Sequence, residues 1–344
     1  MLLTNKDLTK VNDNVLDFIK DYCDLKVSEE NTINTGNLNS IEEMSNLNLL
    51  INLYRINDIR FINKFFEEIN IKLQSEGIYI SCVETFQARK ERKKIGKIPV
   101  LGFFYFGFEF VFMRVIPKIN IFKQFYFFIT KGKNRLLSKA ETLGRLISCG
   151  FDIVSYKTID GKLFIISKKV AAPKYDMKPS YGPIYSMPRV GKSNKIINVY
   201  KLRTMHPYSE YLQDYIFERN GTANGDKVND DFRISPIGKV FRKFWIDELP
   251  MLINLVKGDI KIVGVRPLSV GKFNMYPEKA RQERIRFKPG LVPPFYADLP
   301  NNFEELIESE LRYIERYSKS PILTDVKYFF KAFSNIIFKG ARSK

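Results

Sequence analysis

The stretch Ser235–Pro267, SPIGKVFRKFWIDELPMLINLVKGDIKIVGVRP, sets two short helices and a strand in a row. Ser235-Pro236 opens the first helix with a capping hydroxyl followed by proline at the first helical position. Ile237, Val240, Phe241, Phe244 and Trp245 recur at helical spacing and are expected to form its buried stripe, with Lys239, Arg242 and Lys243 opposite. Asp247-Glu248-Leu249-Pro250 then starts a second helix, striped by Leu249, Leu252, Ile253 and Val256 and closed by Lys257-Gly258. This places Asp247 at the N-cap and Glu248 in the first turn, where carboxylates ordinarily cap and answer the helix dipole. Asp259–Val265 reads as a buried strand that delivers Arg266-Pro267 at its end.

Working outward, Lys195–Met205 reads as a strand, and residues two apart on a strand share a face. Lys201 and Arg203 therefore project side by side at its end, a geometry suited to clamping a phosphate. Lys288-Pro289-Gly290 adds a further basic turn. Two carboxylates thus lie in a region that supplies Lys201, Arg203, Arg242, Arg266 and Lys288. A carboxylate pair can hold Mg²⁺ together with substrate phosphates, and the cations can neutralise phosphate oxygens. That combination suits phosphoryl transfer better than hydrolysis of an uncharged bond. His206, directly after the strand, is expected to make a neutral polar contact rather than to bind phosphate.

Read in order, Gly182-Pro183-Ile184, Arg189-Val190-Gly191-Lys192, the Lys201–Met205 strand end, Trp245–Pro250, Asn254, Lys257-Gly258-Asp259, Gly264–Pro267 and Lys288-Pro289-Gly290 resemble the bacterial sugar transferase family, the monotopic phosphoglycosyl transferases. The likeness runs from Tyr181 to the end of the chain, where Tyr313, Tyr317 and Asp325 join it. The resemblance implies transfer of a phospho-sugar from a UDP-sugar to polyprenyl (undecaprenyl) phosphate. Such a step starts assembly of an exopolysaccharide, capsule, O-antigen or glycoprotein glycan, which downstream glycosyltransferases extend. It further implies that Asp247 is a nucleophile forming a covalent aspartyl-phosphosugar, that Glu248 with Asp247 holds Mg²⁺, and that Arg266 grips phosphate. Lys201, Arg203, Arg242 and Lys288 are assigned to phosphate binding beside it. Three features depart from the family pattern. A polar linker, with Lys174, Asp176 and Lys178, stands where a re-entrant apolar helix usually precedes the Gly-Pro. Val265 replaces the first proline of Pro-Arg-Pro, and Leu291–Tyr296 replaces Ile-Thr-Gly-Trp.

The other half has a different texture. Residues 1–48 are rich in Asn, Glu, Ser and Asp and read as a polar, partly disordered lead-in without a secretory signal. Apolar residues from Leu49 to Leu73 recur at helical spacing, followed by a turn at Glu76-Gly77 and a strand at Ile78–Val83. Ala140–Gly150, Phe151–Tyr156 and Lys162–Ser167 repeat the helix–strand theme. Both units weakly resemble the later elements of a degenerate class I methyltransferase-like α/β domain, without the Gly-rich loop that would hold a cofactor.

Between them, the basic run Ala88–Lys97 leads into Pro99–Met113, with six phenylalanines, and a second aromatic patch at Phe122–Phe128. This is too short to span a bilayer, which takes about 20 apolar residues, and suits an interfacial, re-entrant or buried segment. Basic residues beside aromatics are attracted to anionic lipid surfaces, so residues 98–129, and the amphipathic tail at 326–338, are membrane-surface candidates.

The expected layout is an α/β (mixed α+β) chain: a lead-in at 1–48, an α/β domain at 49–170, a linker at 171–180 and a catalytic domain at 181–344. In 344 residues, 56 Lys and Arg against 38 Asp and Glu give a net charge of +18, which points to anionic partners. The three cysteines, Cys23, Cys82 and Cys149, are spaced for neither a disulfide framework nor zinc, which suits a reducing, cytosolic setting, and the family resemblance implies the cytoplasmic face of the bacterial inner membrane. One histidine excludes catalysis by paired histidines. A nucleic-acid-binding protein is the main alternative reading, but the second helix is nearly uncharged and the turn before it is essentially Ile246, so a helix-turn-helix is disfavoured and no nucleic-acid partner is expected. A catalytically silent scaffold for glycan assembly is the other.

Overall fold

In a computed structural model, residues 12–22, 31–175, 182–220 and 231–339 are described. The part of the linker at 176–180, with Asp176 and Lys178, lies outside them, as do Cys23 and residues 1–11 and 23–30 of the lead-in. The chain is a mixed α/β protein that forms two compact units. One comprises Met1–Gly182 with Met205–Gly221 and Asp230–Arg233; the other takes in Pro183–Thr204 and Ile234–Lys344.

The first unit is built on a five-stranded sheet. Its elements are α1 (Asp13–Lys20), β1 (Thr32–Ile33), α2 (Asn39–Glu42), β2 (Leu47–Arg55), α3 (Ile62–Lys72), β3 (Leu73–Val83), α4 (Phe86–Arg92), α5 (Pro99–Phe110), α6 (Asn120–Thr130), α7 (Lys139–Ser148), β4 (Phe151–Ile159), β5 (Lys162–Lys169) and α8 (Gln213–Asn220). The strand order is β1-β2-β3-β5-β4, the first three parallel, with β5 antiparallel to both its neighbours. The helix expected over Leu49–Leu73 is instead β2, a loop and α3. Leu49, Leu50 and Ile51 are consecutive and all buried, as in a strand covered on both faces, and such a run mimics helical periodicity. The described part of the lead-in is also ordered, since Val15, Phe18 and Ile19 of α1 pack on Leu49, Ile51, Ile80 and Ile166 of the sheet.

The aromatic segment forms two helices joined by a bend. α5 runs into a π-helical turn at Val111–Val115, the chain bends through Ile116–Lys118, and α6 follows, its Tyr126 ring against Phe112 of the π turn. Two buried charges moor it. Glu109 pairs with Lys93 at 2.6 Å and Arg89 at 3.4 Å, and Arg114 pairs with Glu141 at 2.8 Å while donating to the Leu136 carbonyl. Phe103, Phe104, Phe108, Ile121, Phe125 and Phe128 face outward at 63–83% exposure, so this is not a core helix. Among the described residues no helix is long and apolar enough to cross a membrane. His206 meets Arg114 at 3.4 Å, the polar contact expected of it.

The second unit opens with the antiparallel hairpin β6 (Ile184–Val190) and β7 (Ile196–Leu202), followed by α9 (Pro236–Lys243) and α10 (Met251–Val256). β8 (Lys261–Val263) pairs in parallel with β9 (Gly290–Val292), with α11 (Val270–Asn274) and α12 (Glu278–Ile285) between them. α13 (Phe295–Asp298), α14 (Phe303–Lys319) and α15 (Pro321–Phe338) close the unit around Val263, Val265, Tyr296, Tyr313 and Tyr328. Gly264 and Gly290 let β8 and β9 approach closely, since a Cβ on Gly290 would lie 2.1 Å from the Gly264 nitrogen. Most of the stripe residues read as buried on α9 and α10 are not; only Phe241 and Trp245 are partly buried. Ile237, Val240, Phe244, Leu249, Leu252, Ile253 and Val256 are all exposed, and α9 and α10 bury Gly238, Met251 and Asn254 instead. An amphipathic pattern fixes which side is apolar and not what covers it.

Candidate active site

Asp247 and Glu248 project from a single 3₁₀ turn, Ile246–Glu248, that links α9 to α10. α10 begins at Met251, and Asp247 lies in the first turn of the 3₁₀ segment that leads into it, so Trp245 rather than Asp247 stands at the cap position. The turn is reached through Trp245, whose φ of 57° is left-handed, a costly conformation for so large a side chain. Packing holds it there: the indole lies 5.1 Å from the Tyr296 ring and joins the apolar core of the unit. Backbone strain of this kind is retained where the surroundings over-determine it, as at working sites.

Three contacts fix the turn against β7. The buried Asn254 side chain accepts from the Tyr200 N–H at 3.0 Å and donates to the Asn198 carbonyl at 2.7 Å, locking α10 to the strand. Lys201, the next strand residue, places its ammonium 2.6 Å from Glu248 Oε1. On the other side, Arg242 Nε donates to Thr204 Oγ1 at 2.9 Å, and Gly238 packs so tightly on the Thr204 carbonyl that a Cβ would lie 2.1 Å from its oxygen.

The electrostatics follow. Asp247 is half-buried, and burial raises its carboxyl above the ordinary carboxylate value. Lys201 and Arg242 oppose that rise, and the adjacent Glu248 adds to it. Tyr185, opposite Lys201 in the β6–β7 register, is raised by burial. Arg242, Arg203 and Arg189 act to lower it and Asp247 to raise it, so these charges all act on one phenol. The Arg203 guanidinium sits 5.2 Å from the Tyr185 ring.

Of the residues singled out from sequence, Lys201, Arg203, Arg242, Asp247 and Glu248 therefore come together. Arg266 follows β8 and acts on Arg189, which joins it to the same cluster. Lys288 does not figure among the charges acting on Asp247; its ammonium lies beside Gly258, beyond the far end of α10. Tyr185 and Arg189 were missed as site residues. Their signal was the period-two face of β6, on which Tyr185, Met187 and Arg189 alternate with the exposed Ile184, Ser186 and Pro188.

Among the described residues no group of three or more acidic, His or Cys side chains converges on a metal position. A divalent cation would have Asp247 and Glu248 as its protein carboxylates, with Glu248 already engaged by Lys201. So sparse a donor set fits Mg²⁺, which commonly binds one or two carboxylates and completes its shell with substrate phosphates and water.

The model of one family, described as bacterial sugar transferase, matches residues 156–339, just over half of the chain. The chain belongs to the bacterial sugar transferase family. Among curated proteins, the galactosyl transferase CpsE of Streptococcus agalactiae is 36% identical over 151 residues, covering 42% of this chain and 33% of that protein. The undecaprenyl-phosphate galactose phosphotransferase of Salmonella typhimurium is 29% identical over 189 residues, 52% of this chain and 38% of its own length. The UDP-glucose:undecaprenyl-phosphate glucose-1-phosphate transferase of Escherichia coli is 29% identical over 224 residues, 62% and 42% respectively. The chain thus spans about a third to two fifths of these relatives. The sugar transferase match takes in every charged residue of the Asp247 cluster, together with β5 and the end of β4.

Proposed function

We propose that this bacterial sugar transferase moves a phospho-sugar from a UDP-sugar to polyprenyl phosphate, through a covalent intermediate on Asp247, and so begins assembly of a surface glycan. The observation that carries this reading is a half-buried carboxylate flanked by Lys201 and Arg242 on a rigid, strained turn. Such a group is poorly solvated, fixed in direction and surrounded by cations suited to phosphate oxygens.

In the first step an Asp247 oxygen attacks the sugar-bearing phosphorus, the bond from that phosphorus to the bridging oxygen breaks, and UMP leaves. In the second, an oxygen of polyprenyl phosphate attacks the same phosphorus and the aspartyl–phosphorus bond breaks, restoring the carboxylate. Lys201, Arg203 and Arg242 offset the phosphate charge throughout. Mg²⁺ held by Glu248 and Asp247 would supply further neutralisation of the diphosphate.

A polyprenyl acceptor is delivered by a membrane, and two surfaces suit one at the cytoplasmic face. The α5–α6 segment is apolar outward and lies beside Lys90 and Lys94, and α15 exposes Val326, Phe330, Phe333 and Ile337. Its lipid-linked product would pass to downstream glycosyltransferases. The test is UMP release by the purified chain given UDP-sugar, Mg²⁺ and polyprenyl phosphate. Acceptor-dependent release that Asp247→Asn abolishes supports the reading, and release undiminished in Asp247→Asn overturns it.

A further inference from the structure

The described arginines of this chain are mostly matched. Arg233 pairs with Asp231, Arg284 with Glu310, Arg145 with Glu141, and Arg89 with Glu84. Arg189 and Arg266 are both partly buried, and among the described residues neither makes a salt bridge. They are also neighbours. The Val190 N–H donates to the Leu268 carbonyl at 2.9 Å, an isolated bridge that sets the end of β6 beside the loop carrying Arg266. Two partly buried like charges without an anion between them are unfavourable unless a ligand supplies one.

We propose that Arg189 is a further phosphate-binding residue of this site and that, with Arg266, it takes the phosphate departing with the nucleotide. This assignment rests on the phosphoglycosyl-transfer reading above. Arg189 shares the site-facing side of β6 with Tyr185, and its Nη2 lies 3.0 Å from Met187 Sδ, so the side chain runs back along the strand toward Tyr185. Its Nη1 donates to its neighbour's carbonyl, on Pro188, at 2.8 Å. A planar guanidinium has five N–H donors, and these two contacts leave others for an oxyanion.

The order of the two phosphates follows from the chain of neighbours. Asp247 must meet the sugar-bearing phosphorus, so Lys201 and Arg242, which act directly on Asp247, serve that phosphate. The second phosphate hangs from the first by one bridging oxygen and needs cations flanking the first set. Along β6, Tyr185 stands opposite Lys201, and Arg189 lies further along the same face, next to the Val190–Leu268 bridge that brings the Arg266 loop alongside. The Arg266 backbone is itself fixed, its carbonyl accepting from the buried Arg284 at 2.5 Å.

Titration calorimetry of the full chain with UMP and with UDP tests the assignment. Arg189→Gln is expected to weaken UMP binding about tenfold or more, the loss of one charge-assisted phosphate contact, and to weaken UDP equally. Lys201→Met is expected to weaken UDP while leaving UMP unchanged. Should Arg189→Gln fail to fold, Arg189→Lys keeps the charge but not the fork and is expected to bind UMP several-fold more weakly. Wild-type UMP affinity in the folded variant overturns the assignment. With UDP-sugar, Arg189→Gln should raise KM more than it lowers kcat. The two readings separate cleanly. An active Asp247→Asn with an impaired Arg189→Gln sinks the covalent route and keeps this pocket, whereas an inactive Asp247→Asn with normal UMP binding by Arg189→Gln does the reverse.

Discussion

The Lys201 ammonium lies 2.6 Å from Glu248 Oε1 while its charge also acts on Asp247 one residue earlier. One strand residue thereby pairs with one carboxylate and acts on its neighbour, so the ionisation of Asp247 can be read through it.

The first consequence is a pair of opposite pH shifts. Burial raises Asp247, Lys201 lowers it and Glu248 raises it. A nucleophilic carboxylate must be ionised, so activity falls on the acid side as Asp247 takes up a proton. Lys201→Met removes a lowering charge and should move the acidic limb of kcat/KM to higher pH. Glu248→Gln removes a raising charge and should move it to lower pH, whatever the drop in rate. A pH–rate profile of each variant checks both directions.

Stability should run against activity at the same residue. A carboxyl raised in the folded state binds its proton more tightly there than in the unfolded chain. Its contribution is therefore favourable below the unfolded value and is lost as pH rises through the folded one. At neutral pH the ionised Asp247 is a cost, and Asp247→Asn should raise the thermal midpoint while abolishing turnover. At a pH below both values the difference should vanish. Thermal melts at two pH values measure this.

Gly238 carries a purely steric prediction. Its Cβ position is 2.1 Å from the Thr204 carbonyl oxygen, backbone that cannot swing aside. Gly238→Ala should push α9 off Thr204, break the Arg242–Thr204 hydrogen bond and destabilise the unit by roughly 1–3 kcal/mol. Chemical denaturation gives the energy, and KM for the UDP-sugar should rise in parallel.

The outward aromatic face of α5 and α6 should bind lipid without contributing to the core. Phe104 is 69% and Phe125 63% exposed. Phe104→Asp with Phe125→Asp should change stability by no more than about 0.5 kcal/mol per site. Sedimentation with anionic vesicles should nonetheless fall sharply, and unchanged sedimentation would assign lipid contact elsewhere.

How much of this was legible beforehand differs by element. Asp247, Glu248, Lys201, Arg203 and Arg242 are close in sequence or sit on a readable strand end, so their convergence could be argued from local order. Lys288 could not be placed that way, because the route from Gly258 back to Pro289 passes through two helices. The left-handed Trp245 carries no glycine or asparagine to announce it, so the chain reads as one helix passing into the next. Periodicity located the apolar faces of α9 and α10 but said nothing of their exposure. It misread β2 because three consecutive buried residues fit either period. Tyr185 and Arg189 needed the β6–β7 register, which pairs Tyr185 with Lys201 and is a property of two strands together.

The account turns on a bond to Asp247. Purified chain mixed with UDP-sugar and Mg²⁺, without any acceptor, should release about one equivalent of UMP and gain the mass of one phospho-sugar, mapped by peptide mass spectrometry to Asp247 and discharged on adding polyprenyl phosphate. Acceptor-dependent turnover with no adduct at any stage, or an adduct on another residue, would contradict it.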